Sequence, residues 1–82
     1  MRIAIKLFGA EREKLGADEA VVEVAEGSVD WGTLRPRVAE AYPAIAERLP
    51  WCRLAINYEL VGDEAVITAG DELALIGAVS GG

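Results

Sequence analysis

Three short stretches of the chain alternate apolar and polar residues with a period of two, and this pattern limits the possible folds most strongly. The stretches are residues 2–8 (RIAIKLF), residues 20–25 (AVVEVA) and residues 53–58 (RLAINY). Because successive side chains of a β-strand point to opposite faces of a sheet, the pattern predicts three half-buried strands. The apolar face of a sheet must be covered, so the chain needs a second packed layer besides these strands.

One longer segment has the periodicity of a helix and can supply that layer. Its apolar residues on one helical face are Leu34, Val38, Ala41, Tyr42 and Ile45. A turn at residues 27–30 precedes the segment and contains possible N-caps. Because proline is tolerated in the first turn of a helix, Pro36 predicts a start near Asp30 or Thr33. Pro43 predicts the end or a kink of the helix.

The remaining segments complete the order of the elements. They are a short helical turn at residues 9–16 that ends at Gly16, a turn-like stretch at residues 57–63, a short strand or turn at residues 64–68, and a last strand at residues 72–76. The resulting order predicts an α+β fold with a mixed sheet and one main helix packed on one face. If the last strand lies parallel to the first in the middle of the sheet, the fold is the ubiquitin-like β-grasp.

The length of the chain sets the expected domain organisation. Because 82 residues have room for a single hydrophobic core, we expect a β-grasp domain over residues 1–77. Residues 78–82 are expected to form an extended, flexible C-terminal tail. The longest apolar run, residues 73–79, is too short to span a bilayer, so we expect a cytoplasmic protein without a membrane partner.

The residue inventory excludes most sites that rely on side-chain chemistry. The chain contains no histidine and a single cysteine, Cys52, so we expect no metal site and no intrinsically bound cofactor. A lone cysteine is usually a small buried apolar residue. The net charge of −6 offers no electrostatic basis for binding nucleic acid, so that class of partner is not expected either.

Two features indicate a docking surface and a reactive group. By the alternation of their strands, Phe8 and Ile76 point away from the helix-covered face, where they can form an apolar patch for a protein partner. The sequence closes with Gly81-Gly82, and glycine can pass through a slot too narrow for any residue with a Cβ. The main-chain carboxylate of Gly82 is therefore a candidate reactive group.

Several motifs of the sequence resemble a known family. The segments IKLFGAEREKLG, AINYELV and GDELALIGAVSGG are similar to those of the MoaD-like small subunits of molybdopterin synthase and of the related ThiS-like sulfur carriers. The resemblance covers nearly the whole chain in order. It implies the β-grasp fold and assigns partner binding to Phe8, Leu60, Ile76, Val79 and Ser80.

The resemblance also implies the chemistry of the last two residues. An E1-like adenylating partner would use ATP and Mg²⁺ to activate the Gly82 carboxylate, and sulfur would then displace AMP to leave a thiocarboxylate, with Gly81 providing clearance. The large, catalytic subunit of the synthase would transfer this sulfur to cyclic pyranopterin monophosphate within a heterotetramer. The chain would then be the sulfur-donating subunit of a sulfurtransferase complex, without catalytic side chains of its own.

Other destinations for the same activated group stay open at this point. The chain could serve thiamine synthesis or tRNA thiolation, or it could be a ubiquitin-like tag that is attached to lysines through Gly82. A plain interaction module with an accidental glycine end is a third interpretation. Relatives commonly carry two prolines where this chain has Gly77-Ala78, which predicts a looser base of the tail here.

Overall fold

The computed structural model describes residues 1–77, which contain seven strands and three α-helices. The strands are β1 (Arg2–Lys6), β2 (Glu19–Glu23), β3 (Ser28–Asp30), β4 (Cys52–Ile56), β5 (Glu59–Val61), β6 (Val66–Thr68) and β7 (Leu73–Gly77). The helices are α1 (Gly9–Leu15), α2 (Trp31–Ala41) and α3 (Pro43–Ala46), and a 3-10 turn follows at Leu49–Trp51. None of the helices in this range is long and apolar enough to cross a lipid bilayer.

Five strands form the main sheet in the order β2-β1-β7-β4-β5. The last strand, β7, lies in the centre, parallel to β1 and antiparallel to β4. The two outer pairs, β1 with β2 and β4 with β5, are antiparallel. This arrangement confirms the predicted mixed sheet and the ubiquitin-like β-grasp, with the first and last strands side by side.

The hydrophobic core lies between α2 and one face of the main sheet. Its fully buried residues include Ile5, Leu34, Val38, Ile45, Leu54 and Leu75, which come from both layers. The predicted apolar face of the helix is wrong at Ala41, which is exposed. Tyr42 is half-buried, and its hydroxyl donates to the Val21 carbonyl at 2.8 Å and accepts from the Val21 amide at 2.9 Å. These bonds tie the helix end to the edge strand β2.

The helix begins where the sequence predicts, but Pro36 is not in its first turn. Asp30 is the N-cap, and its carboxylate accepts a hydrogen bond from the Thr33 amide at 3.0 Å. With α2 starting at Trp31, Pro36 lies in the second turn, where its missing N–H leaves one carbonyl of the first turn without its usual partner. The predicted end of the helix is confirmed, because α2 stops at Ala41 and Pro43 opens α3.

Two short strands replace segments that the sequence predicts as turns. Ser28–Asp30 forms β3 and pairs with β6 in a separate two-stranded sheet. Glu59–Val61 forms β5 and closes a tight hairpin with β4. The hairpin turn is Asn57-Tyr58, whose φ angles of 50° and 72° are those of a type I′ turn. Tyr58 therefore leaves the strand face that alternation assigns to it.

Candidate functional site

The helix-free face of the main sheet carries an apolar groove. Phe8 follows β1, Leu60 lies on β5 and Ile76 lies on β7, and all three line the same concavity of about 450 Å³. Their side chains are exposed by 52%, 55% and 39%, although each is large and apolar. The structure thus brings together the three residues of the predicted docking surface that fall within residues 1–77. We call this concavity the docking groove.

Small residues form the floor of the docking groove, and polar residues form its rim. Ala55 of β4 stands directly opposite Ala74 of β7, so the sheet is low between the larger side chains. At one end Lys6 and Glu72 form an ion pair at 4.0 Å. A hydrogen bond with the Glu72 carboxylate raises the pKa of the exposed Tyr58 phenol, which lies on the same rim. An apolar floor with a polar rim is typical of a protein-binding surface.

A second cavity of about 320 Å³ adjoins the docking groove at the end of β7 and shares Phe8 and Ile76 with it. It also contains Glu11, the only charged side chain that is fully buried within residues 1–77. The Arg48 guanidinium donates a hydrogen bond through Nε to the Glu11 carboxylate, and this bond raises the pKa of Arg48. The sequence pattern does not reveal this pair, because 36 residues separate Glu11 from Arg48 and each has the local pattern of an ordinary surface charge.

The buried carboxylate also lines this cavity together with Gly77, the last described residue. A Cβ atom built on Gly77 would lie 2.5 Å from Oε1 of Glu11 and 3.0 Å from Cδ. Because real Cβ atoms do not approach other atoms so closely, only glycine fits at this position without movement of the ion pair. A residue with a Cβ at the end of β7 would therefore have to displace the Glu11 carboxylate from its place beside Arg48.

Cys52 is a buried residue of β4 and is not suited to act as a nucleophile. Its thiol donates a hydrogen bond to the Arg48 carbonyl, with 3.2 Å between Sγ and oxygen. Burial raises the pKa of Cys52 to about 11, so the thiol stays protonated at physiological pH. The prediction of a small buried apolar residue is confirmed.

The protonated state of Cys52 has a measurable consequence. At pH 8, alkylation of the folded protein by iodoacetamide should be at least about 100-fold slower than alkylation in urea, because an unfolded thiol has a pKa of roughly 8.5. The rate is measured from the mass of the alkylated protein over time. Equal rates in the folded and unfolded protein would show that Cys52 is accessible and ionised.

The other predicted site residues have different outcomes. Val79, Ser80, Gly81 and Gly82 lie outside the described residues, so their assigned roles stay predictions. Within residues 1–77, no group of three or more Cys, Asp or Glu side chains is arranged to hold a metal ion.

Comparison with known proteins places the chain in a family. The ThiS family model matches residues 5–82. A molybdopterin synthase sulfur carrier subunit from Chlamydomonas reinhardtii is 33% identical over 84 residues, and the match covers 100% of both chains. Both comparisons extend through the glycine end of the sequence.

Solved structures agree with the fold. SAMP1 from Haloferax volcanii, a small archaeal modifier protein, superposes with a TM-score of 0.83 at 29% identity and full coverage of both chains. A complex of subunits 1 and 2 of the molybdopterin-converting factor from Helicobacter pylori contains a chain that superposes with a TM-score of 0.68 at 22% identity, again over the full length of both chains. The β-grasp architecture, the family match and the full-length relative together establish that this chain belongs to the ThiS family.

Proposed function

We propose that the chain is the sulfur carrier subunit of a molybdopterin synthase and that Gly82 carries the sulfur as a thiocarboxylate. The observation that carries this proposal is the full-length match to the relative from Chlamydomonas reinhardtii, whose name states that role. The family match includes Gly81 and Gly82. The docking groove supports the proposal, because a carrier must present its reactive end to other proteins.

The proposed activation takes place at the Gly82 carboxylate. A carboxylate is a poor electrophile, so an E1-like adenylating partner that binds ATP and Mg²⁺ has to activate it. One carboxylate oxygen attacks the α-phosphorus of ATP, pyrophosphate leaves, and an acyl-adenylate forms. A sulfur nucleophile then attacks the acyl carbon and AMP leaves, so that sulfur replaces one oxygen. Gly81, which has no Cβ, allows the chain to enter the narrow site of the partner.

The proposed transfer of sulfur takes place in the large subunit of the synthase. That subunit would bind the docking groove, receive the thiocarboxylate end and direct its sulfur to cyclic pyranopterin monophosphate, within a heterotetramer. The Helicobacter pylori complex of subunits 1 and 2 supports a partner of this kind. Acid and base groups for the transfer would come from the large subunit, and the carrier would supply binding and positioning.

A second candidate function has a specific observation in its favour. SAMP1 is 29% identical to this chain and is a modifier protein. The same activated Gly82 could therefore be attached to lysine amines of target proteins instead of accepting sulfur for a cofactor. The adenylation step is common to both functions, so the two differ in the nucleophile that attacks the activated carbonyl.

Reconstitution separates these functions. The thiocarboxylated chain is mixed with the large subunit and cyclic pyranopterin monophosphate, and molybdopterin is measured as its fluorescent oxidation product. We expect molybdopterin to form in proportion to the thiocarboxylate that is consumed. The proposal would be contradicted, and the modifier favoured, if no molybdopterin formed and a parallel incubation of the chain with the adenylating enzyme, ATP, Mg²⁺ and target proteins gave high-molecular-weight conjugates.

A further inference from the structure

The chain of contacts at the end of β7 points to a role for Glu11 that the docking groove does not explain. We propose that Glu11, held by Arg48, is a positioning residue that fixes the course of the backbone at Gly77 and thereby aims the reactive end of the chain. This inference rests on the proposed function, because it concerns how the Gly82 carboxylate reaches the adenylating site.

The ion pair lies where three parts of the fold meet. Glu11 belongs to α1, Arg48 lies between α3 and the 3-10 turn, and Gly77 ends β7, so three separate elements meet at one point. The Glu11 side chain is only 2% exposed, whereas the Arg48 side chain is 34% exposed. The carboxylate therefore lies between a cation on its outer side and a backbone segment on its inner side.

An ion pair whose carboxylate is buried is a poor means of stabilising a small domain. The cost of removing the Glu11 carboxylate from water offsets part of its attraction to Arg48, whose side chain stays 34% exposed, and an apolar pair of similar volume is often as stable. Such a pair can instead define one arrangement of the elements that it joins. Here it joins α1 to the end of the central strand, beside the docking groove.

Gly77 is the residue from which the segment that ends in Gly82 starts. Residues 78–82 can extend by at most about 17 Å beyond Gly77. A shift of the Gly77 backbone therefore shifts the region that the Gly82 carboxylate can reach by a similar distance. A misplacement of about 1 Å at a reacting atom can already reduce a rate on the order of 100-fold.

The same ion pair bears on the identity of the residue at position 77. Proline at this position, common among relatives by the resemblance, would fix φ by its own ring. In this chain the Glu11 carboxylate occupies the space that a Cβ on Gly77 would need, so it limits which residue and which backbone position fit there. The prediction of a looser tail base at Gly77-Ala78 stays a prediction.

The test is the steady-state kinetics of adenylation, followed as ATP–pyrophosphate exchange with an adenylating enzyme that activates the wild-type chain. We expect Glu11→Ala to lower kcat about 10-fold and to change KM for the carrier less than threefold, because the docking groove is intact. Glu11→Gln keeps an oxygen that can accept the Arg48 hydrogen bond, so it should retain at least about half of kcat. Glu13→Ala, an exposed change on the same helix, is the matched control and should have wild-type kinetics.

A double variant tests the contact itself. Gly77→Ala should lower kcat about 10-fold in the wild-type chain, but less than about twofold in the Glu11→Ala background, because the carboxylate that the new Cβ would meet is gone. A purely structural role would lower the melting temperature and leave the kinetics of the folded protein unchanged. If Glu11→Ala does not fold, Gly77→Ala still decides the question, because it retains both charges.

The outcomes separate this inference from the proposed function. Wild-type kinetics for both folded Glu11→Ala and Gly77→Ala would overturn the positioning role while leaving the carrier function intact. If an adenylating enzyme that activates another member of the ThiS family does not activate the wild-type chain, both the positioning role and the proposed function are overturned.

Discussion

Phe8→Asp is expected to weaken binding of the chain to the large synthase subunit on the order of 100-fold, or about 3 kcal/mol. The reason is that Phe8 lies in the docking groove with half of its surface exposed, so a partner that covers the groove must bury this position. An aspartate there would lose its hydration on binding, and Lys6, the cation at the rim of the groove, is already paired with Glu72. The dissociation constant, measured by isothermal titration calorimetry, checks this result.

The same substitution should leave the fold intact, which makes its effect on binding interpretable. Phe8 is the N-cap residue of α1 and its side chain makes no capping hydrogen bond. Aspartate is among the preferred N-cap residues because its carboxylate accepts bonds from free helix amides. Val66→Asp is the matched control, since Val66 is also apolar and exposed but does not line the docking groove. Equal affinity for Phe8→Asp, Val66→Asp and the wild-type chain would refute the groove as the docking surface.

Leu34→Ala is expected to reduce the free energy of unfolding by about 3 kcal/mol. Leu34 projects from α2 into the core and has no exposed surface, so the shorter side chain leaves a cavity between helix and sheet. For a domain of this size the loss is a large part of the total stability. Urea denaturation followed by circular dichroism gives the value.

Leu60→Ala provides the opposite case on the other face of the sheet. Leu60 is 55% exposed, so its truncation should cost less than about 1 kcal/mol of stability while weakening partner binding. Folded Leu34→Ala should in turn bind the partner with nearly normal affinity. A comparable loss of stability in both variants would contradict the division of the sheet into a core face and a docking face.

The sequence predicts the main sheet because its central strands alternate regularly. In β1 and β7 the inward residues are aliphatic, and the parallel pairing of these strands follows from the β-grasp order. Phe8 and Ile76 could be assigned to the outer face by the same alternation. Alternation could not assign Leu60 to a face, because Leu60 lies beyond the third alternating stretch. Its orientation is set by the type I′ turn at Asn57-Tyr58.

Short-range pattern also fails where long-range pairing decides the structure. β3 and β6 have three residues each, which is too few for alternation to be distinguished from a turn, and they are strands because they pair with one another. The Glu11–Arg48 pair cannot be predicted from local sequence either, because it forms only when distant parts of the chain pack together. A charged residue next to Gly9 and Ala10 is expected on the surface, and it is buried by the packing of both α3 and β7 against α1.

The proposed function depends on the chemistry of Gly82, and intact-mass analysis can detect the product of that chemistry. The chain is incubated with ATP, Mg²⁺, a sulfur donor and an adenylating enzyme that acts on another member of the ThiS family. Its mass is then compared with that of a variant that lacks Gly82 after the same treatment. We predict a mass gain that corresponds to the exchange of one oxygen for sulfur in the full chain, and no gain in the shortened variant. An unchanged mass of the full chain, with an enzyme that thiocarboxylates another family member in the same reaction, would contradict the account.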